Sequence, residues 1–269
     1  MKNKILIFLS ILLSCLILTS FSNRRHLYST SEEYVNAYVL AGQSNMQGIT
    51  DDPLPEQYRI PENSYILGYV RNGSTEEIIA NDSTFKPMNY NTQVWGQSHG
   101  IEFPLAYNLD DKEKYLVKVS RGGIALATEF NRDSLGEFYF LLAEYINHAK
   151  KELEGKNVHW HFIWGQYEKD ALNDYWYLNY EQNFTNLFLY LKEDTGVIFT
   201  TISWFGVNKN DGFYPTRTAG YDWIFDLQEN LADYVVPTSD LALGDVVHYS
   251  SASQITIGIR EANWLNENY

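Results

Sequence analysis

A serine stands inside the string Ala41-Gly42-Gln43-Ser44-Asn45-Met46, directly after an apolar run. In a tight, glycine-containing turn from strand to helix, a serine hydroxyl can be exposed with its own amide aimed at the same point. One residue then offers both a nucleophile and a donor to a developing oxyanion. Near the other end, Asp245-Val246-Val247-His248 sets a carboxylate three residues before a histidine. On one short turn it can reach the ring nitrogen remote from a substrate, fix the tautomer and stabilise the imidazolium. Either segment alone is ordinary, since Gly-Gln-Ser makes turns and D-x-x-H occurs on surfaces. Of the six histidines, only His248 has such a sequence partner; His26, His99, His148, His159 and His161 fall in linker, loop, helix and strand patterns.

Two more segments follow apolar runs. Ser120-Arg121-Gly122-Gly123-Ile124 carries a glycine pair that lets backbone approach a ligand closely, so that one amide can donate to an oxyanion. Trp164-Gly165-Gln166-Tyr167-Glu168-Lys169-Asp170-Ala171 brings two carboxylates, whose plainest role is capping or ion pairing near a helix start. His159 and His161 would share one face of a strand, with carboxylates nearby. No third ligand stands at a recognisable spacing, so no metal is expected.

In this order the blocks resemble those of the SGNH hydrolases, in the carbohydrate-esterase branch that includes acetylxylan esterases and sialate O-acetylesterases. AGQSNM is similar to the nucleophile block, Gly122-Gly123 to a GG-T-S-L-like block, and Trp164–Ala171 to W-x-Q-G-E-x-D-A. The resemblance runs from Ala41 to His248 and implies a flavodoxin-like, three-layer α/β/α fold. It also implies a Ser44–His248–Asp245 triad, with Glu168 as a second candidate for the acid. The oxyanion donors it implies are the amides of Ser44 and Gly123, with Gly122 in reserve, and the side chain of Gln166. Two positions depart from the pattern. Ile124 replaces a small polar residue, and Tyr167 replaces a glycine, where a bulky ring could narrow the pocket or shift the loop. The stretch Trp95–Gly100 followed by Glu102-Phe103 is similar to a G-P-E-F-like loop beside the family's pocket.

The resemblance implies removal of O-acetyl groups from carbohydrate through an acyl-enzyme on Ser44, with no cofactor. Gln43, Asn45, Trp95 and Tyr167 are then expected to meet substrate. Trp95, Trp164, Tyr167 and Trp204 are candidates for a sugar platform, each equally suited to a core. Two rivals remain. A carbohydrate-binding protein that has lost catalysis would rest on Tyr167 and Ile124 alone, and a lipase or thioesterase on the same scaffold would prefer long acyl chains.

The elements that must position these residues follow from hydrophobic periodicity. Asn36–Leu40, Tyr115–Val119, Val158–Trp164, Val197–Trp204 and Tyr234–Val236 read as strands, about five in all. Ser134–Leu153, Leu178–Glu193, Trp223–Leu231 and Ser251–Leu265 read as helices, and Asp51–Met88 as loop with short strands. Strands alternating with helices imply a mostly parallel sheet covered on both faces, with chemistry at the carboxyl ends of the strands.

Lys2 and Lys4 precede an apolar run from Ile5 to Leu18, and Ser20-Phe21-Ser22 offers small residues for a cut. Residues 1–22 are expected to be a secretory leader, 23–33 a linker and 34–269 one esterase domain; an uncleaved signal anchor is the alternative. A lipoprotein cut before Cys15 fits less well, because the apolar run continues past it. Cys15 is the only cysteine, so no disulfide or thiolate zinc site is available to the rest of the chain. The formal charge of −14 disfavours nucleic acid and anionic membranes and suits a neutral partner such as acetylated carbohydrate. With 21 Tyr, 14 Phe and 7 Trp, rings are plentiful enough for both a core and a groove. Asn72, Asn81 and Asn183 each begin an N-x-[ST] sequon.

Overall fold

The computed structural model describes residues 34–50, 52–70, 83–90 and 98–269. The expected leader and linker, Trp95, and the sequons at Asn72 and Asn81 lie outside the described residues. Asn183 lies on a helix, where its side chain accepts from Asn131.

In chain order the elements are β1 (Tyr34–Gly42), α1 (Ser44–Gln47), β2 (Ser64–Val70), β3 (Lys86–Pro87), α2 (Glu102–Asn108), β4 (Lys114–Ser120) and α3 (Glu137–Glu152). There follow β5 (Asn157–Gly165), α4 (Glu168–Ala171), α5 (Asp174–Leu178), α6 (Tyr180–Thr195), β6 (Thr201–Phe205), α7 (Tyr214–Leu231), β7 (Tyr234–Val236) and α8 (Ser251–Asn268).

From Asn36 onward every residue of β1 is buried. A strand buried on both faces belongs in the middle of a doubly covered parallel sheet. β1 indeed pairs in parallel with β4 on one side and β5 on the other. Strand alternation sends Ala37, Val39 and Ala41 into one core, with Phe138 and Leu142 of α3, Leu187 of α6 and Ile224 of α7. Tyr38 and Leu40 point into the other, against Phe103 of α2 and Ile257 and Leu265 of α8.

The sheet order is β3-β2-β4-β1-β5-β6-β7, and only β3 runs antiparallel. Without β2 and β3, the remaining strands have the 2-1-3-4-5 order of flavodoxin-like folds. These are the five expected strands. The other two form an edge from the segment read as loop with short strands. Two boundaries also differ. The β6 ladder begins at Thr201 rather than Val197, and α7 begins at Tyr214, where Pro215 suits a first helical turn.

His159 stacks on Tyr34 at 4.1 Å, and His161 is bonded to Thr201 at 2.9 Å and Asn36 at 3.2 Å. Among the described residues no cluster of His, Cys, Asp or Glu could hold a metal ion, and no helix is long and apolar enough to cross a membrane.

Glu261 of α8 is fully buried and accepts from the Ser203 hydroxyl at 2.6 Å. Burial pushes its carboxyl up to about 7 against that hydrogen bond. A raised native value means the fold keeps a proton that the unfolded chain releases. The contribution is therefore complete below the unfolded value and lost as pH rises through about 7. Glu261→Gln should flatten the fall in stability between pH 5 and 8 by ~2–3 kcal/mol, measured as urea midpoints at both pH values.

Candidate active site

The carboxyl ends of β1 and β5 meet where both strands finish in glycine. A Cβ on Gly42 would lie 2.2 Å from the Gly165 carbonyl oxygen, so only glycine allows this approach. The Gln43 amide donates to that same oxygen at 3.0 Å, and the chain turns at once into α1, whose first residue is Ser44. A buried ion pair holds the turn from below. Lys118 Nζ meets Glu102 at 2.7 Å and donates to the Gln47 carbonyl at 3.1 Å.

The segment before α8 folds back on itself. Asp245 Oδ1 accepts from the Val247 and His248 amides at 2.8 and 2.7 Å, and its Oδ2 lies 2.7 Å from His248 Nδ1. Burial alone would raise the Asp245 carboxyl, but these hydrogen bonds hold it below the usual carboxylate range. The loop is fastened to the Ser44 turn by Asn45. Its Nδ2 donates to the Val247 carbonyl at 3.2 Å, and its Oδ1 accepts from the Tyr249 amide at 3.0 Å.

Ser44 and His248 open onto one cavity of about 240 Å³, together with Gln43, Gly123 and Glu168. Apolar side chains of Ile49, Leu172, Phe213 and Val247 form much of the remaining wall. Both glycines border the cavity, but the Gly122 amide is already committed to Gln47 Oε1 at 2.7 Å, whereas Gly123 sits at φ +71°. Glu168 does not reach His248 with a hydrogen bond; its carboxylate accepts from Asn45 Nδ2 at 2.6 Å and from the Tyr167 amide at 3.1 Å. Burial pushes Glu168 up to about 7 despite those bonds.

Several expected contacts fall elsewhere. Gln166 is fully buried and absent from the cavity wall; its Nε2 donates to Asp170 and its Oε1 accepts from the Tyr180 hydroxyl at 2.8 Å. The expected third oxyanion donor is thus committed to the interior. Asp170 in turn accepts from the Leu126 and Ala127 amides at 2.8 and 3.0 Å, which anchors the loop after Gly123. Tyr167 is buried and does not line the cavity. Its ring packs edge-on against Tyr221 in the core, and its hydroxyl accepts from the Asn208 amide at 3.1 Å. Trp164 and Trp204 are completely buried, their indole N–H groups bonded to Tyr180 and to the Gln166 carbonyl, so neither forms a platform. Asn45 is buried and serves the loop rather than the cavity. Gln43 lines the cavity while its Oε1 accepts from the Lys169 amide at 3.2 Å.

Sequence reasoning missed Phe213 and Leu172 as wall residues. Asp211-Gly212-Phe213 lies in the loop after β6, so the strand-end rule that singled out the other blocks would have found it.

A family model described as "Carbohydrate esterase, sialic acid-specific acetylesterase" matches residues 34–267. Among solved structures, a protein of Arabidopsis thaliana is similar, with 19% identity, a TM-score of 0.68, and 88% of this chain and 99% of that one covered. A structure described as a novel carbohydrate acetylesterase from Xanthomonas citri is similar at 15% identity and a TM-score of 0.55, over 86% of this chain and 54% of that one. At these identities both establish the fold alone. A comparison with curated proteins finds no significant match. The match over 34–267 shows that this chain belongs to the sialic acid-specific acetylesterase family of carbohydrate esterases and is a carboxylic ester hydrolase.

Proposed function

We propose that the chain removes O-acetyl groups from carbohydrate through an acyl-enzyme on Ser44. The observation that supports this most is that His248, held by Asp245 at 2.7 Å, lines the same small cavity as Ser44. In this reading Ser44 Oγ attacks the ester carbonyl while His248 Nε2 takes its proton. Collapse of the tetrahedral intermediate breaks the bond to the sugar oxygen, which leaves with the proton from His248. Water then attacks the acyl-enzyme, gives a proton to His248, and releases acetate and free Ser44. Asp245 fixes the imidazole and balances its transient charge. The amides of Ser44 and Gly123 receive the oxyanion, each donor being worth about 10²–10³ in rate.

The cavity of about 240 Å³, walled by Ile49, Leu172 and Phe213, favours a short acyl group. The test is release of p-nitrophenol from the acetate and octanoate esters by the purified chain from Asn23 onward, then acetate release from acetylated xylan and O-acetylated sialosides. Faster turnover of acetate and release from one carbohydrate are expected. Preference for octanoate would move the reading to a lipase or thioesterase, and an inert folded protein to a binding module. Export by a leader at residues 1–22 belongs to the same proposal. N-terminal sequencing of the secreted protein should begin at Asn23.

A further inference from the structure

Asn45 stands beside the proposed nucleophile, yet its side chain is buried, does not line the cavity and is bonded to Glu168, Val247 and Tyr249. Those bonds bracket one residue. The Val247 carbonyl lies on the N-terminal side of His248, the Tyr249 amide on its C-terminal side, and Asn45 holds both. The amide's polarity is fixed by its third partner: Glu168 Oε1 takes Nδ2 at 2.6 Å, which leaves Oδ1 to accept from Tyr249. Its own carbonyl is tied to α8 by the Gln254 side-chain amide at 2.9 Å. A single side chain therefore sets the separation of two loops that lie some 200 residues apart in sequence.

We propose that Asn45 is a positioning residue that holds His248 in register with Ser44, and that Glu168 acts through it by fixing the orientation of its amide. This rests on the serine-esterase reading above. The role needs a donor and an acceptor on one short side chain, which asparagine supplies and aspartate does not when ionised.

That difference provides the test. Asn45→Ala should lower kcat for p-nitrophenyl acetate by about 10–100-fold with KM within about twofold, the signature of misplaced chemistry rather than lost binding. Hydrogen exchange at the Tyr249 amide should accelerate in the same variant. Asn45→Asp should work only while the introduced carboxyl and Glu168 share a proton that can be donated to the Val247 carbonyl. Its activity should therefore fall on the alkaline side of a profile that stays flat in the parent. Adding Glu168→Gln should remove that fall. The groups facing this pair are Asp211, Tyr167, Tyr180, Tyr221 and Tyr249 on the buried side, with His248 and Lys169 on the cavity side. Burial raises Asp211 and all four tyrosines, which keeps the tyrosines neutral across the profile.

Parental kcat in Asn45→Ala, or an Asn45→Asp profile that matches the parent, would overturn the proposal. A parent that neither hydrolyses the ester nor reacts with a fluorophosphonate would instead overturn the serine-esterase reading. The exchange rate at Tyr249 still decides whether Asn45 clamps the loop; unchanged exchange in a folded Asn45→Ala counts against the clamp.

Discussion

Ser44→Ala should lower kcat for p-nitrophenyl acetate by at least ~10⁴-fold and leave thermal unfolding close to that of the parent. The large effect follows from chemistry: no other hydroxyl is expected to stand where His248 can take its proton. The small effect on folding follows from position. Ser44 lines the cavity at the start of a four-residue helix, and alanine is at least as good a helix former. The backbone amides remain in place, so the variant should still bind substrate and retain a weak rate above water. Steady-state kinetics and mass spectrometry of the quenched reaction check both halves, with acyl adduct present on the parent and missing from the variant. If the variant kept a tenth of the activity, the nucleophile would have to be water, activated by His248 or Glu168.

The second large effect concerns the acid. Asp245→Asn should cost about 10²–10³ in kcat, somewhat less than in a fully buried triad, because the Asp245 side chain is 49% exposed and water can replace part of its role. Asparagine can keep the two backbone hydrogen bonds through Oδ1. It then offers N–H to His248 Nδ1 and forces the ring proton onto the nitrogen that must accept from Ser44. The loss should be uniform from pH 6 to 9. A depressed carboxyl is ionised throughout that window, and its contribution to the loop is complete above about 4 and lost only as pH falls through its native value. Glu168→Gln should cost about tenfold at most, since glutamine can still accept from Asn45 and the effect reaches His248 only through it. The reverse ranking would make Glu168 the acid and remove Asp245 from the mechanism.

Much of this arrangement was legible in the chain. Ser44, Gly123, Asp245 and His248 were each marked by a glycine or a short spacing just after an apolar run, and parallel sheets gather such positions at one edge. The helices over 137–152 and 180–195 followed from their apolar stripes. What escaped was the partner choice of groups able to do two things. Gln166 could equally donate into the cavity or to Asp170, and only packing against Tyr180 decides for the interior. Tyr167 read as an obstacle because its sequence position is that of a glycine, yet its ring packs into the core against Tyr221. β2 was obscured by Gly68 in its middle and by polar flanks, so a strand next to the sheet edge looked like loop. The bond between Asn45 and Glu168 joins residues 123 positions apart, and no local pattern encodes it.

The placement of β1 has a consequence for biosynthesis. The strand at the centre of the sheet is the first of the described elements to be made, and its neighbours β4 and β5 leave the ribosome only after about 70 and 120 further residues, several seconds later at ordinary elongation rates. Throughout that interval a nearly continuous apolar segment has no partner on either edge, which is the condition under which nascent chains recruit chaperones or associate with one another. Ser44 is attached to that segment, while the histidine proposed to activate it follows about 200 residues later. The proposed Ser44–His248 pair could therefore form only after all seven strands have been made, so β1 must be kept from associating with other chains well before any hydrolytic competence arises.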